Sequence, residues 1–116
     1  MTDFLSTAQL KSELKHEGFV LKTQQQIAKD FAQSGIDFGP AFSAEPLSLE
    51  DILNSVEIHV HALIKLGEPK LLQLLYQVDI PQSQFLSLVG NSSFVEEISN
   101  LILRREAFKV YLRSKF

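Results

Sequence analysis

Ser48–Gly67 reads SLEDILNSVEIHVHALIKLG, and this stretch decides the fold. Ser48 stands where a hydroxyl can accept from a free backbone N–H at a helix start, and Gly67 is placed as its stop. Between them Leu49, Ile52, Leu53, Val56, Val60, Leu63 and Ile64 project within about 120° of one another at 3.6 residues per turn. That is one face of an amphipathic helix over Leu49–Leu66. Glu50 and Asp51 fall in its first turn, where the helix dipole favours acids, so neither needs a catalytic explanation.

Helical signals continue on both sides. Downstream, Pro69 suits a first turn because its missing N–H would have been unpaired there. The following helix, to Val78, has a polar stripe of only Lys70, Gln73 and Gln77, with Leu71, Leu72, Leu74, Leu75, Tyr76 and Val78 around the rest. So wide an apolar surface predicts the central helix of the core. Asp79 can cap a short helix holding Pro81, Phe85, Leu86 and Val89, closed by Gly90. Ser93 and Glu96 have capping spacing and open a last helix from Phe94 nearly to Phe116.

Upstream, Ser6 and Gln9 form a capping box for a helix from about Thr7 to Glu17, ended by Gly18. Phe19, Val20 and Leu21 read as a connector. Thr23 and Gln26 repeat the spacing and open a second helix with Ile27, Ala28, Phe31 and Ala32 as its buried side, stopped by Gly35. Residues 36–47 break the pattern. Gly39, Pro40 and Pro46 forbid a continuous helix, yet Ile36, Phe38, Phe42 and Leu47 are too apolar for a solvated linker. The segment is expected to lie across the bundle with its aromatics tucked in. The fold class expected is therefore all-α: a five- or six-helix single-domain bundle over residues 1–116, with a long C-terminal helix and short connections favouring antiparallel neighbours.

Charge is distributed unevenly. Arg104, Arg105 and Arg113, the chain's three arginines, lie in its last thirteen residues with Lys109 and Lys115, against one acid, Glu106. That segment carries +4 while the whole chain carries −3, so the rest carries −7. Arg105 and Lys109 fall inside the stripe continued by Phe94, Val95, Ile98, Leu101, Ile102, Phe108, Leu112 and Phe116, whereas Leu103, Val110 and Tyr111 point away. Three explanations compete. The long cations snorkel to water over apolar neighbours. Or Arg105 pairs with a carboxylate on another helix, such as Glu57 or Asp79. Or Arg105, Lys109 and Arg113, at i, i+4 and i+8, form a site for an anion or a partner.

The remaining residues exclude more than they assign. Cysteine is absent, which removes disulfide scaffolds, thiol nucleophiles and thiolate zinc sites. His59 and His61 diverge by about 200° and cannot share a metal. His59 reads as a partly buried packing residue, His61 as half of a solvated pair with Glu57, and His16 as surface. No G-x-S-x-G, H-E-x-x-H or glycine-rich phosphate loop occurs, so no catalytic residue, metal or cofactor is expected. Glu96-Glu97, like Glu50-Asp51, suits a first turn. Net charge −3 argues against general nucleic-acid binding. No apolar run approaches the ~20 residues of a membrane helix, and Met1 to Leu5 show no signal-peptide pattern; a cytoplasmic protein is expected.

Gln26-Ile27-Ala28-Lys29-Asp30-Phe31 resembles the first helix of a helix-turn-helix unit, but the chain then enters the Gly39-Pro40 loop where a recognition helix belongs. In the C-terminal third, Leu74-Leu75-Tyr76, Asp79-Ile80, Ile102-Leu103-Arg104-Arg105-Glu106 and Lys109-Val110 resemble small uncharacterised helical bacterial proteins. That resemblance implies a bacterial cytosol and no mechanism. The functional expectation is a non-catalytic interaction or adaptor domain. Its C-terminal helix would dock an acidic surface, on a protein partner or on a second copy, through Arg104, Arg105, Lys109 and Arg113, with Phe108 and Tyr111 as apolar anchors. The competing expectation is a small anion-binding protein or enzyme with Arg105 and Lys109 in a pocket near His59 or the Phe38–Phe42 loop.

Overall fold

Local chemistry starts the helices at Ser6 and Ser48. Ser6 Oγ accepts from Gln9 N at 3.1 Å while Gln9 Oε1 accepts from Ser6 N at 3.0 Å. Ser48 Oγ accepts from Asp51 N at 3.1 Å. The computed structural model describes residues 4–115, and among these there are six α-helices and no strand. They are α1 (Thr7–Glu13), α2 (Glu17–Gln33), α3 (Leu49–Leu66), α4 (Glu68–Val78), α5 (Gln82–Leu88) and α6 (Phe94–Lys115), with a 3₁₀ turn at Pro40–Ser43 after α2. The all-α class and the long last helix agree with the sequence reading. Phe116, which that reading placed on the buried stripe, lies outside the described residues.

The first break falls earlier than glycine placement suggests. The chain leaves α1 at Leu14 and re-enters a helix at Glu17, so Gly18 and the supposed connector Phe19-Val20-Leu21 are helical. The reason is tertiary. Val20, Gln24, Ile27 and Phe31 recur at i, i+4, i+7 and i+11 and are all buried. Gly18 sits in the first turn of α2, where it costs less than the ~1 kcal/mol of an interior glycine, and burying this stripe outweighs that. Thr23 consequently caps nothing; its hydroxyl donates to Phe19 O within the helix at 2.9 Å. The buried side is also rotated from the one expected, leaving Ala32 exposed and Ala28 half-buried.

Two further junctions are set by left-handed or positive-φ backbone. Gly67, at φ 117°, alone joins α3 to α4 and donates to Leu63 O and Ile64 O. A side chain there would be strained whatever space it had. Asp79 has φ 73° and ends α4, its N–H donating to Leu75 O at 2.9 Å. It therefore caps the helix before it, and the short helix α5 begins after Pro81.

The hydrophobic core takes side chains from every helix. Its centre is α6, which packs against α1, α2, α3, α4 and α5. Ile98, Ile102, Leu103 and Ala107 of α6 are fully buried. The expectation that α4 is central fails, because Leu72 and Tyr76 of that helix are 41% and 87% exposed. A helix enclosed on several sides has no polar face to display. Leu103 and Val110, expected to point outward, are accordingly buried, and Tyr111 is half-buried against the core.

The 36–47 segment crosses the bundle as expected. Phe38 meets Phe31 at 4.8 Å and Phe42 at 4.5 Å between ring centroids, and stacks on His59 at 3.8 Å. Its anchor is Gln24, which is fully buried. Gln24 Nε2 donates to Phe42 O at 2.7 Å and to Glu45 O at 2.9 Å, and Gln24 Oε1 accepts from Leu47 N at 2.8 Å. One amide thus satisfies three backbone groups that a non-helical segment would otherwise bury unpaired.

Candidate functional site

Three cations of α6, Arg104, Arg105 and Lys109, are directed into the fold. Arg104 Nε donates to Leu5 O at 2.7 Å, and its guanidinium lies 5.8 Å from the Phe4 ring. It fastens the segment before α1 onto α6. Arg105 Nη2 donates to Asp79 Oδ2 at 2.6 Å and covers the half-buried Phe108 ring at 5.7 Å. Lys109 Nζ lies 2.9 Å from Asp30 Oδ2, 3.0 Å from Glu106 Oε1 and 3.3 Å from Gln77 O. Arg113 Nη1 donates to Gln26 Oε1 at 2.5 Å. Of the six residues expected to form a docking surface, Arg104, Arg105, Phe108, Lys109 and Tyr111 are half-buried, and only Arg113 is exposed. Arg105 follows the internal-pairing explanation, with Asp79 rather than Glu57 as the acid.

Lys109 sits in a polar cluster that the sequence reading missed. Asp30 of α2 is 2% exposed and Glu106 of α6 is fully buried. Gln26 Nε2 donates to Asp30 Oδ1 at 3.1 Å, so the cluster runs from Glu106 and Lys109 through Asp30 and Gln26 to Arg113. Lys109 Nζ donates to Asp30 Oδ2 and to the Gln77 carbonyl and lies 3.0 Å from Glu106 Oε1. Burial pushes the Glu106 carboxyl from its usual value near 4.5 up to about 9. Asp30 adds to the rise, through hydrogen bonding to the protonated form and through repulsion, and Lys109 opposes it. The balance favours the neutral form of Glu106. A signal was available: Asp30 is i+3 from Ile27 and Glu106 is i+4 from Ile102, so both acids stand on core stripes.

His59 is half-buried with its Nδ1 2.7 Å from Ser55 O, and its ring fills the space beside Phe38. His16 and His61 are exposed. Among the described residues no group of three His, Asp or Glu side chains is spaced to hold a metal ion, and no helix is long and apolar enough to cross a membrane.

Two hollows carry distinct chemistry. The first, of about 490 Å³, lies between α3, α4 and α5 and is lined by Ile64, Glu68, Leu71, Phe85, Leu86, Val89, Gly90 and Phe94. A neighbouring apolar hollow shares Phe85 and continues the face through Leu72, Leu75, Tyr76, Ile80 and Gln82. The second, of about 350 Å³, lies between α2 and α6 and is lined by Lys22, Gln25, Gln26, Lys29, Val110, Arg113 and Ser114. Arg105 and Lys109 line none of these three hollows. No protein-family model, curated protein or solved structure matches the chain.

Proposed function

We propose that this chain is a non-catalytic, cytoplasmic interaction domain that pairs with a second copy of itself through the apolar face of α3, α4 and α5. The observation that carries the reading is the exposure of Leu72 (41%), Tyr76 (87%), Leu86 (56%) and Val89 (58%) around that face. Single exposed apolar side chains need no explanation, but a contiguous set around a hollow marks an interaction surface. Aromatic side chains of this kind concentrate binding energy at interfaces.

Two features favour a second copy as the occupant. Among the residues lining the two joined apolar hollows, Glu68 is the only formal charge. The face can therefore meet itself without opposing rows of like charge, which the acidic remainder of the chain would present. It also holds both a projecting ring, Tyr76, and a hollow beside Phe85, so knob and socket lie on one surface. A twofold interface requires this self-complementarity. The docking role thus moves from the basic helix, whose Arg104, Arg105 and Lys109 are engaged inside the fold.

Sedimentation equilibrium or light scattering after size exclusion tests the reading. The parent is expected to show a concentration-dependent dimer. Leu86→Glu, at an exposed position, is expected to give a monomer with an unchanged far-UV circular dichroism spectrum. A parent that stays monomeric across the micromolar range, or a dimer untouched by Leu86→Glu, refutes it.

A further inference from the structure

The hollow between α2 and α6 gathers three cations from two helices and no acid: Lys22, Lys29 and Arg113. Lys22 and Lys29 are seven residues apart, two turns of α2, and so share a face. Both are exposed, and neither makes an ion pair or hydrogen bond among the described residues. In a chain with net charge −3, this is a local reversal of sign.

Arg113 is held in a way that leaves its charge uncompensated. Its guanidinium donates to Gln26 Oε1, a neutral acceptor, at 2.5 Å. Gln26 is itself 7% exposed and fixed by its bond to Asp30. Asp30, the nearest acid in this cluster, already faces Lys109. The guanidinium is thus positioned by a buried amide, not neutralised by a carboxylate, and most of its five N–H donors remain for a ligand. A planar guanidinium fork matches the geometry of a phosphate or carboxylate edge, and two lysines add point charges. The carbonyl end of α6 opposes an anion with a partial charge of about half a unit, which three full cations exceed.

The geometry points to a binding site for a phosphate group in this cleft, formed by Lys22, Lys29 and Arg113 with Gln25, Gln26 and Ser114 as further polar lining. The site is separate from the apolar face and does not depend on dimer formation. Its volume of about 350 Å³ exceeds that of a bare phosphate and admits a small organic body attached to it.

Isothermal titration calorimetry and thermal melts in low-salt buffer test the site, with sodium phosphate compared to sodium chloride at matched ionic strength, and phosphoserine as a second probe. The expected result is saturable binding of phosphate and a rise in melting temperature that chloride does not reproduce. Lys22→Gln and Arg113→Gln are each expected to weaken binding about tenfold or more. Lys22→Gln carries the test should Arg113→Gln disturb Gln26, because Lys22 touches nothing that holds the fold. Phosphoserine binding tighter than phosphate assigns the cleft to a monoester, and equal affinity assigns it to free phosphate. Stabilisation by chloride equal to that by phosphate, or undiminished binding in Lys22→Gln, overturns the proposal.

Discussion

Replacing Glu106 by Gln is expected to change how stability varies with pH more than it changes the structure. Glu106 is fully buried, with Lys109 Nζ 3.0 Å from one of its oxygens. Two effects oppose each other there: the ammonium favours the carboxylate, while burial and Asp30 favour the neutral acid. The second pair wins and lifts the carboxyl from about 4.5 to about 9. An acid whose folded value is raised contributes fully below its unfolded value and loses that contribution as pH rises toward the folded one. Above pH 4.5 the unfolded chain releases this proton while the folded chain keeps it. Each pH unit then lowers stability by about 1.4 kcal/mol. From pH 4.5 to 7 the loss is about 3 kcal/mol, and by pH 9 about 6 kcal/mol, a large share of the ~5–15 kcal/mol that holds a domain together. Gln is nearly isosteric, cannot ionise, and retains an amide donor for Asp30. Urea unfolding of both proteins from pH 5 to 9 gives the difference curve, in which titrations common to both cancel. The variant should gain on the parent steadily across this range, the difference levelling off above pH 9. A flat difference curve would refute the reasoning. So would a variant that loses ground as pH rises through 5, because that result would mean Lys109 holds Glu106 ionised.

Two further substitutions probe the interior polar contacts. Gln24→Ala is expected to cost about 3 kcal/mol in urea unfolding, at about 1 kcal/mol for each of three lost bonds, and to speed proteolytic cleavage within residues 36–47; unchanged cleavage would mean the aromatic contacts alone hold that segment. Lys109→Ala is expected to cost about 3–5 kcal/mol because it leaves Asp30 buried without its cation. The double variant Asp30→Asn with Lys109→Met should recover most of that loss, and failure to recover it would locate the cost in packing.

The parts of the fold legible in the sequence are those decided within one turn of chain. Ser6 with Gln9, Ser48 and Gly67 act on backbone groups three or four residues away, and their helix ends fall where the residues indicate. The parts that were not legible depend on which faces meet. Gly18 reads as a stop by its own propensity, but it falls in the first turn of α2, which starts early enough to place Val20, Gln24, Ile27 and Phe31 on one buried stripe. Asp79 has the composition of either an N-cap or a left-handed C-cap, and the placement of α4 against α6 selects the second. Likewise α4 is richer in leucine than α6, yet α6 is the enclosed helix. Its polar residues can be buried because α2 and α4 bring Asp30, Gln77 O and Asp79 to meet them.

The charge at the end of the chain shows why counting cations does not locate a binding site. Arg105 and Asp79 form a short pair, but Asp79 is 74% exposed, so the pair contributes about 1 kcal/mol or less and chiefly sets where the α4 end lies. Lys109 and Asp30 form a pair at 2.9 Å with both partners nearly enclosed, where removing either charge is far more costly than the pair's net contribution. These two cations are committed to the fold for different reasons, and neither is available to a partner. Arg113 has the same side chain as Arg105 and lies two turns further along the same helix, but its acceptor is an amide. An amide fixes a guanidinium without cancelling its charge, so the field of Arg113 extends into the cleft beside Lys22 and Lys29. The distinction between a structural and a ligand-directed arginine therefore resides in the acceptor across the α2–α6 interface, Gln26 rather than an acid, and not in the arginine or in the net charge of its helix.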